Sequence, residues 1–150
     1  MTRYFRGADL GDRDMVRSCF TADVTAQLDQ RPLVSGLDAM IAQIHVFDSL
    51  ASGAWRICTH FMGNLQFKQL TSDSAETETN AIASVVITEE SGDKMHMRSL
   101  RYLDRFVRAD DVWKIGVRVH TLDWRCEVPS SFAPTFAQRL GAIPDSMFRD

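Results

Sequence analysis

The chain is poor in cysteine and has no long apolar run. Its 150 residues include three cysteines, Cys19, Cys58 and Cys126, without a Cys-x-x-Cys spacing, which favours reduced thiols in a cytoplasmic protein over a disulfide framework. No apolar stretch approaches the roughly 20 residues that cross a bilayer, and the opening MTRYFRGADL lacks the apolar centre of a signal peptide. The sequence therefore predicts a soluble protein with no membrane partner.

Runs of like charge and nucleotide-binding motifs are also missing. The net charge is −3 and is spread along the chain, so no footprint for nucleic acid or anionic lipid is expected. No phosphate loop, nucleophile elbow or dinucleotide fingerprint occurs, and we expect no cofactor. With 45% apolar residues, the chain is suited to one compact domain.

Helical patterns occupy the first half of the chain. Met15, Val16, Cys19 and Phe20 form one apolar stripe, and a second consists of Leu37, Met40, Ile41 and Ile44. Ser35, three residues before Asp38, is predicted to cap the second helix. A short strand is predicted for 24–28, before the turn-forming stretch DQRP.

The second half alternates as strands do. Ranges 55–68, 75–88, 95–108 and 112–124 read as long strands joined by the turn signals LTSDS, EESGD and RADD, which predicts an antiparallel meander. In the second of them, small residues such as Ala81 and Ala83 share one face and leave room above it. Helices followed by such strands indicate an α+β fold, with a curved, mainly antiparallel sheet wrapped around the N-terminal helices like a cone and enclosing a pocket.

The last 22 residues, 129–150, carry Phe132, Phe136 and Phe148 and are too apolar for a solvated linker. We expect this tail to close the pocket, with Phe132 touching the ligand, or to contact another subunit. Ile82 and Val86 are predicted on the outer face of the sheet, where a monomer would expose them. Together these patches favour a homodimer or homotrimer.

Three segments carry a resemblance to a known family. The opening YFRGADLGDRD, the strand CTHFMGNLQF and above all RYLDRFVRADDVWKIGVRVHTLDW resemble SnoaL-like proteins of the nuclear-transport-factor-2-like superfamily, over roughly 4–124. That resemblance implies a cone-shaped α+β barrel over 1–128. The superfamily contains dehydratases, isomerases, dehydrochlorinases, oxygenase β-subunits and non-enzymes, so the fold does not select the reaction.

The resemblance to scytalone dehydratase, bile-acid 7α-dehydratase and hexachlorocyclohexane dehydrochlorinase implies that Asp9 and His60 form a catalytic dyad. It also implies site roles for Tyr4 and Arg118, as in the bile-acid enzyme, and for Tyr102, as in scytalone dehydratase. At the position of a second catalytic histidine of scytalone dehydratase this chain has Val85, which argues against that substrate while leaving Val85 in the pocket wall.

Alternative structural roles exist for several of these residues. Asp9 could cap a helix, although Asp12 could do so instead, and His60 could be a core histidine. Arg118 and His120 share strand parity opposite an apolar row that includes Ile115, so both are expected to face the pocket.

The sequence leaves open which anion would pair with Arg118. A buried Arg118 would need an anion, which could be Asp9, a bound oxyanion, or a structural carboxylate such as Asp104 or Asp123. Tyr102 could likewise be an aromatic core residue.

A metal site is not expected. Asp9, His60, His96 and His120 are suitable ligand types, but no His-x-His or His-x-x-x-His spacing supports one.

Three functions follow from these features. The first is a cofactor-independent lyase or isomerase, dehydratase-like, in which Asp9 orients His60 to remove a proton from a small, largely apolar cyclic substrate of aromatic, polyketide or steroid type, while Arg118 or Tyr4 stabilises developing charge. The second is a small-molecule-binding module without chemistry. The third is a structural partner like the oxygenase β-subunits.

Overall fold

Helices cover one face of a curved six-stranded sheet. The structure, a computed structural model, describes residues 1–128; the predicted tail and Phe132 lie outside the described residues. In chain order the elements are α1 (Thr2–Leu10), α2 (Arg13–Arg17), β1 (Phe20–Leu28), β2 (Val34–Ser35), α3 (Leu37–Ala42), α4 (Val46–Ala51), β3 (Trp55–Leu70), β4 (Ser74–Glu89), β5 (Gly92–Ala109) and β6 (Val112–Val128).

Over residues 1–128 the sheet has the strand order β2-β1-β6-β5-β4-β3 and is not closed into a barrel. Its last four strands form the predicted antiparallel meander, and β1 pairs with β6 in parallel. The α+β class and the curved, mainly antiparallel sheet are confirmed. No helix within residues 1–128 is long and apolar enough to span a membrane.

The alternation predicted for β4 is also confirmed. Residues Ala75, Thr77, Thr79, Ala81, Ala83 and Val85 are buried on its inner face. The side chains that follow one another along this strand are small, so helices α1, α3 and α4 approach the concave face without filling it. This is the space in which the cavity lies.

Two helix assignments were wrong. Phe20 begins β1 and pairs with Ile115 of β6, because α2 already ends at Arg17. An apolar stripe of four residues suits a short helix followed by an inward strand residue as well as it suits one longer helix. Ser35 belongs to β2, and Gly36 precedes α3 without a side-chain cap.

Two face assignments were also wrong. Ile115 was predicted on the face opposite Arg118, but both residues are buried. The β5–β6 register shifts between Arg105 and Phe106, and the extra residue at Gly116 reverses the parity of the strand between Ile115 and Arg118. Val86 is buried with only 3% of its surface exposed, so it adds nothing to an exposed outer patch.

Candidate active site

A cavity of about 360 Å³ lies between the helices and the concave face of the sheet. Its wall mixes apolar and aromatic surface with imidazole and guanidinium groups. It is lined by Tyr4, Ala8, Leu28, Asp29, Arg31, Gln43, Ile44, His45, Val46, Trp55, Cys58, His60, Ala83, Val85, Arg98, Leu100, Tyr102, His120 and Leu122. A cavity of this size suits a small organic molecule.

Asp9 of α1 contacts His60 of β3 at the wall of this cavity. The Oδ1 atom of Asp9 lies 2.7 Å from Nδ1 of His60. The backbone N–H of His60 also donates to both carboxylate oxygens, at 2.9 and 3.2 Å. The carboxylate therefore fixes both the backbone and the ring of His60, and only His60 lines the cavity.

The pair is held in a sheltered position. The side chain of His60 is 10% exposed and that of Asp9 is 11% exposed. The ring of Phe5 stacks on the imidazole with 5.0 Å between centroids and 17° between planes. With Nδ1 bonded to Asp9, the nitrogen available to a ligand is Nε2.

The local sequence explains why Asp9 is available for this contact. Helix α1 ends at Leu10 and is followed by Gly11, whose φ of 68° is a left-handed conformation that glycine adopts without strain. Asp12 then caps α2 by accepting a hydrogen bond from the backbone N–H of Met15 at 2.8 Å. Asp12 thus provides the capping that Asp9 could otherwise have supplied.

Three predicted residues form an aromatic wall beside His60. Tyr4 and Tyr102 are 8% and 2% exposed, with their ring centroids 6.0 Å apart. The ring of His120 lies 4.8 Å from that of Tyr102. Burial raises the pKa of Tyr4 and of Tyr102, so both phenols stay protonated and can donate hydrogen bonds.

Arg118 lies behind this wall and does not line the cavity. Its Nε and Nη2 atoms donate to the two oxygens of Asp104, each at 2.8 Å, and both side chains are almost completely buried. Of the anions that the sequence left open as partners of Arg118, the structural carboxylate of Asp104 is therefore the one that pairs with it. Burial alone would lower the pKa of Arg118, but Asp104 outweighs it and raises that pKa.

The guanidinium of Arg118 supports the aromatic wall. Its Cζ atom lies 4.1 Å from the ring centroid of Tyr4 and 4.8 Å from that of Tyr102. Such cation–π contacts are strongest where water is excluded. Arg118 therefore acts on the cavity through the two tyrosines rather than by contact with its contents.

His120 is neutral in this environment. Burial, with the charge of Arg118 nearby, lowers the pKa of His120 from 6.5 to about 4. Between these pH values the unfolded chain binds a proton that the folded chain does not, so stability falls as the pH drops through this range.

We expect His120→Gln to reduce the acid sensitivity of the fold. Between pH 7.5 and 4, the wild-type free energy of unfolding should fall by about 3 kcal/mol more than that of the variant, since each pKa unit is worth about 1.4 kcal/mol. Urea unfolding at both pH values measures this difference. Equal losses in both proteins would contradict a depressed pKa for His120.

Arg98 is a charged lining residue that the sequence reasoning missed. It faces inward on β5 with the same parity as Tyr102 and Asp104, and that parity could have identified it. Its Cζ atom lies 5.3 Å from the ring centroid of Trp55. Val85, which was predicted to line the pocket, does so, and His45 is a further lining residue.

One group of potential metal ligands occurs within residues 1–128. Asp9, Cys58 and His60 each offer a ligand atom, all within 4.8 Å of one another. The hydrogen bonds between Asp9 and His60 already account for the closeness of two of the three. The Cys58 sulfur lies 3.9 Å from Nδ1 of His60.

The sequence over residues 1–119 matches the model of the SnoaL-like domain. The chain belongs to the SnoaL-like domain family. It therefore has the fold of a family within the nuclear-transport-factor-2-like superfamily, as the three resembling segments implied. No curated protein matches the chain significantly.

Solved structures show the same fold at low identity. A candidate scytalone dehydratase from Novosphingobium aromaticivorans is 17% identical with a TM-score of 0.72, over 96% of this chain and 90% of that chain. A hexachlorocyclohexane dehydrochlorinase from Novosphingobium barchaimii is 13% identical with a TM-score of 0.66, over 85% and 84%. A candidate aromatic ring hydroxylase from N. aromaticivorans is 20% identical with a TM-score of 0.67, over 85% and 87%. The family includes lyases, and similarity at this level establishes the fold alone.

Proposed function

We propose that this SnoaL-like protein is a cofactor-independent lyase, dehydratase-like, that removes a proton from a carbon atom of a small cyclic substrate. The observation that carries the proposal is the 2.7 Å hydrogen bond between Asp9 and Nδ1 of His60 at the wall of a ligand-sized cavity. A carboxylate that holds Nδ1–H leaves the Nε2 lone pair directed at a ligand, which is the arrangement a general base needs.

In the proposed reaction, Nε2 of His60 takes a proton from carbon, and Asp9 stabilises the imidazolium that forms. The C–H electron pair becomes part of the new double bond as hydroxide or halide leaves from the neighbouring carbon. The leaving group receives a hydrogen bond from Tyr4 or Tyr102, whose hydroxyls stay protonated. Arg118 contributes indirectly by placing positive charge against the Tyr4 ring.

Elimination assays test this proposal. The purified protein would be incubated with cyclic β-hydroxy ketones, hydroxysteroids and chlorinated rings, and alkene formation would be followed by absorbance and mass spectrometry. We expect turnover that His60→Ala strongly slows and that addition of EDTA leaves unchanged. A wild-type protein that binds these compounds without converting them would instead be a small-molecule-binding module.

We also propose that the protein forms a homodimer or homotrimer through the outer face of the sheet. Phe61 and Ile82 are direct cross-strand partners. The row of paired residues continues from Ile82 to Ser99 and on to Trp124. Phe61 is 75% and Trp124 48% exposed, so this row presents large apolar side chains to solvent.

Light scattering tests the oligomer. We expect a particle of twice or three times the 17.0 kDa chain mass, and a shift toward the monomer in Phe61→Asp, which places a charge within the row. A 17.0 kDa wild-type particle at micromolar concentration would contradict this assembly.

A further inference from the structure

Arg98 is half-buried on the inner face of the sheet, whereas Arg118 is fully buried. The Nε atom of Arg98 is buried and has no hydrogen-bond partner within residues 1–128. Burial lowers the pKa of Arg98, and no carboxylate of the described residues offsets that effect. Arg118 also has a buried atom without a partner, Nη1, but its charge is balanced by two hydrogen bonds to Asp104. Withdrawing part of a cation from water without an anion carries a cost, so the missing partner of Nε in Arg98 calls for an explanation.

The surroundings of Arg98 position its guanidinium without pairing it. The Trp55 ring lies 5.3 Å from Cζ, and both residues line the cavity that contains His60. A cation–π contact is attractive, yet it leaves the N–H donors of the guanidinium to seek an oxygen acceptor. Because Arg98 lines the cavity, an oxygen acceptor on a bound ligand is the partner that this guanidinium would take.

The sheet register places Arg98 in the same row as the proposed base. His60 pairs with Ala83, and Ala83 pairs with Arg98, so the three inner-face residues lie side by side on β3, β4 and β5. Strands β3 and β5 are two strand spacings apart, so the backbones of His60 and Arg98 are separated by about 10 Å. Ala83 between them contributes only a methyl group, which leaves space for a ring.

We propose that Arg98 binds a carboxylate of the substrate, so that the cavity takes a cyclic carboxylic acid with its reactive C–H group one ring's width from the acid. The ring would lie over Ala83, its carboxylate against the guanidinium and the reactive carbon at Nε2 of His60. Calling this ligand a substrate rests on the proposed function, whereas the recognition of a carboxylate by Arg98 does not.

Equilibrium binding tests the inference with cyclohexanecarboxylate and its neutral counterpart, cyclohexanecarboxamide. A charge-assisted hydrogen-bonded pair should make the carboxylate bind roughly ten- to a hundredfold more tightly to the wild-type protein. Arg98→Gln should bind the two compounds equally. Arg98→Met, which removes the charge while keeping an unbranched chain, gives the same comparison if the Gln variant is unstable.

Arg125→Gln is the matched control. Arg125 is the β6 partner of Arg98 in the same row, is exposed and does not line the cavity. Arg125→Gln removes one positive charge, as Arg98→Gln does, but it removes that charge outside the cavity. The Arg125→Gln variant should therefore keep the preference for the carboxylate. Equal loss of that preference in Arg125→Gln would mean that general electrostatic attraction, and not Arg98, selects the acid, and would overturn the inference.

The wild-type comparison alone can also overturn the inference. Equal dissociation constants for acid and amide, or no binding of the acid, would do so whatever the variants show. Because binding requires no turnover, the two proposals fail separately. A clear preference for the acid without any elimination would contradict only the proposed reaction, and elimination of neutral rings without such a preference would contradict only the role of Arg98.

Discussion

Asp104→Asn is expected to lower the free energy of unfolding by about 3–5 kcal/mol, because it leaves the buried Arg118 cation without a counter-charge. The loss is a large share of the roughly 5–15 kcal/mol that stabilises a typical domain. Urea unfolding at neutral pH measures it. Glu76→Gln is the matched control: it breaks the Arg105–Glu76 pair, which also has two hydrogen bonds but is largely exposed, and should cost less than about 1 kcal/mol.

The buried pair can be tested further by removing both partners. A double variant, Asp104→Leu with Arg118→Met, should recover most of the stability lost in Asp104→Asn, because no charge remains unpaired. Arg118→Lys should not restore the wild-type protein, since an ammonium group cannot make the same two-point contact with the carboxylate. A single variant as stable as the wild type would contradict the role assigned to this pair.

The second large effect is expected on the reaction. His60→Ala should slow elimination by roughly 10²–10⁴-fold, the usual contribution of a general base. Asp9→Asn should have an effect in the same direction, because an amide neither fixes the tautomer in the same way nor stabilises the imidazolium. Rates would be measured on the best substrate from the elimination assays, at the pH of maximal activity.

Controls separate chemistry from folding. Asp38→Asn makes the same carboxylate-to-amide change at an exposed surface ion pair and should leave the rate unchanged. Thermal unfolding should show that His60→Ala and Asp9→Asn remain folded at the assay temperature. If both variants instead failed to fold, the Asp9–His60 contact would be structural, and the loss of turnover would say nothing about a base.

The strands were the most predictable part of the fold. The alternation in 75–88 requires one buried and one partly wet face, and the observed burial of Ala81 and Ala83 follows it. Phe20 was misplaced because apolar spacing alone cannot distinguish the last turn of a helix from the first residue of an inward strand. Its pairing with Ile115 is a tertiary contact between segments far apart in sequence.

The candidate site was predictable only in part. The joining of Asp9 and His60 followed from a family resemblance, since residues so far apart carry no local signal of contact. The face predicted for Ile115 was wrong because a single extra residue at Gly116 reverses the strand parity. The partner of Arg118 stayed open because Asp104 lies opposite it only in the β5–β6 register, which the sequence alone does not fix. Arg98 was within reach of the same alternation argument, but its importance comes from a missing partner, which only three-dimensional packing reveals.

Proton abstraction from carbon can be measured most directly by hydrogen exchange in heavy water. Proton NMR would follow the α-hydrogens of 4-oxocyclohexanecarboxylate and of 4-methylcyclohexanone, a probe with and a probe without the acid group, in the presence of the wild-type protein and of His60→Ala. We predict that the wild-type protein accelerates deuterium incorporation into at least one probe, and that His60→Ala reduces this rate by roughly a hundredfold or more. Exchange at the same rate in both proteins, or a bound probe whose hydrogens remain at the uncatalysed rate, would contradict the assignment of His60 as the base.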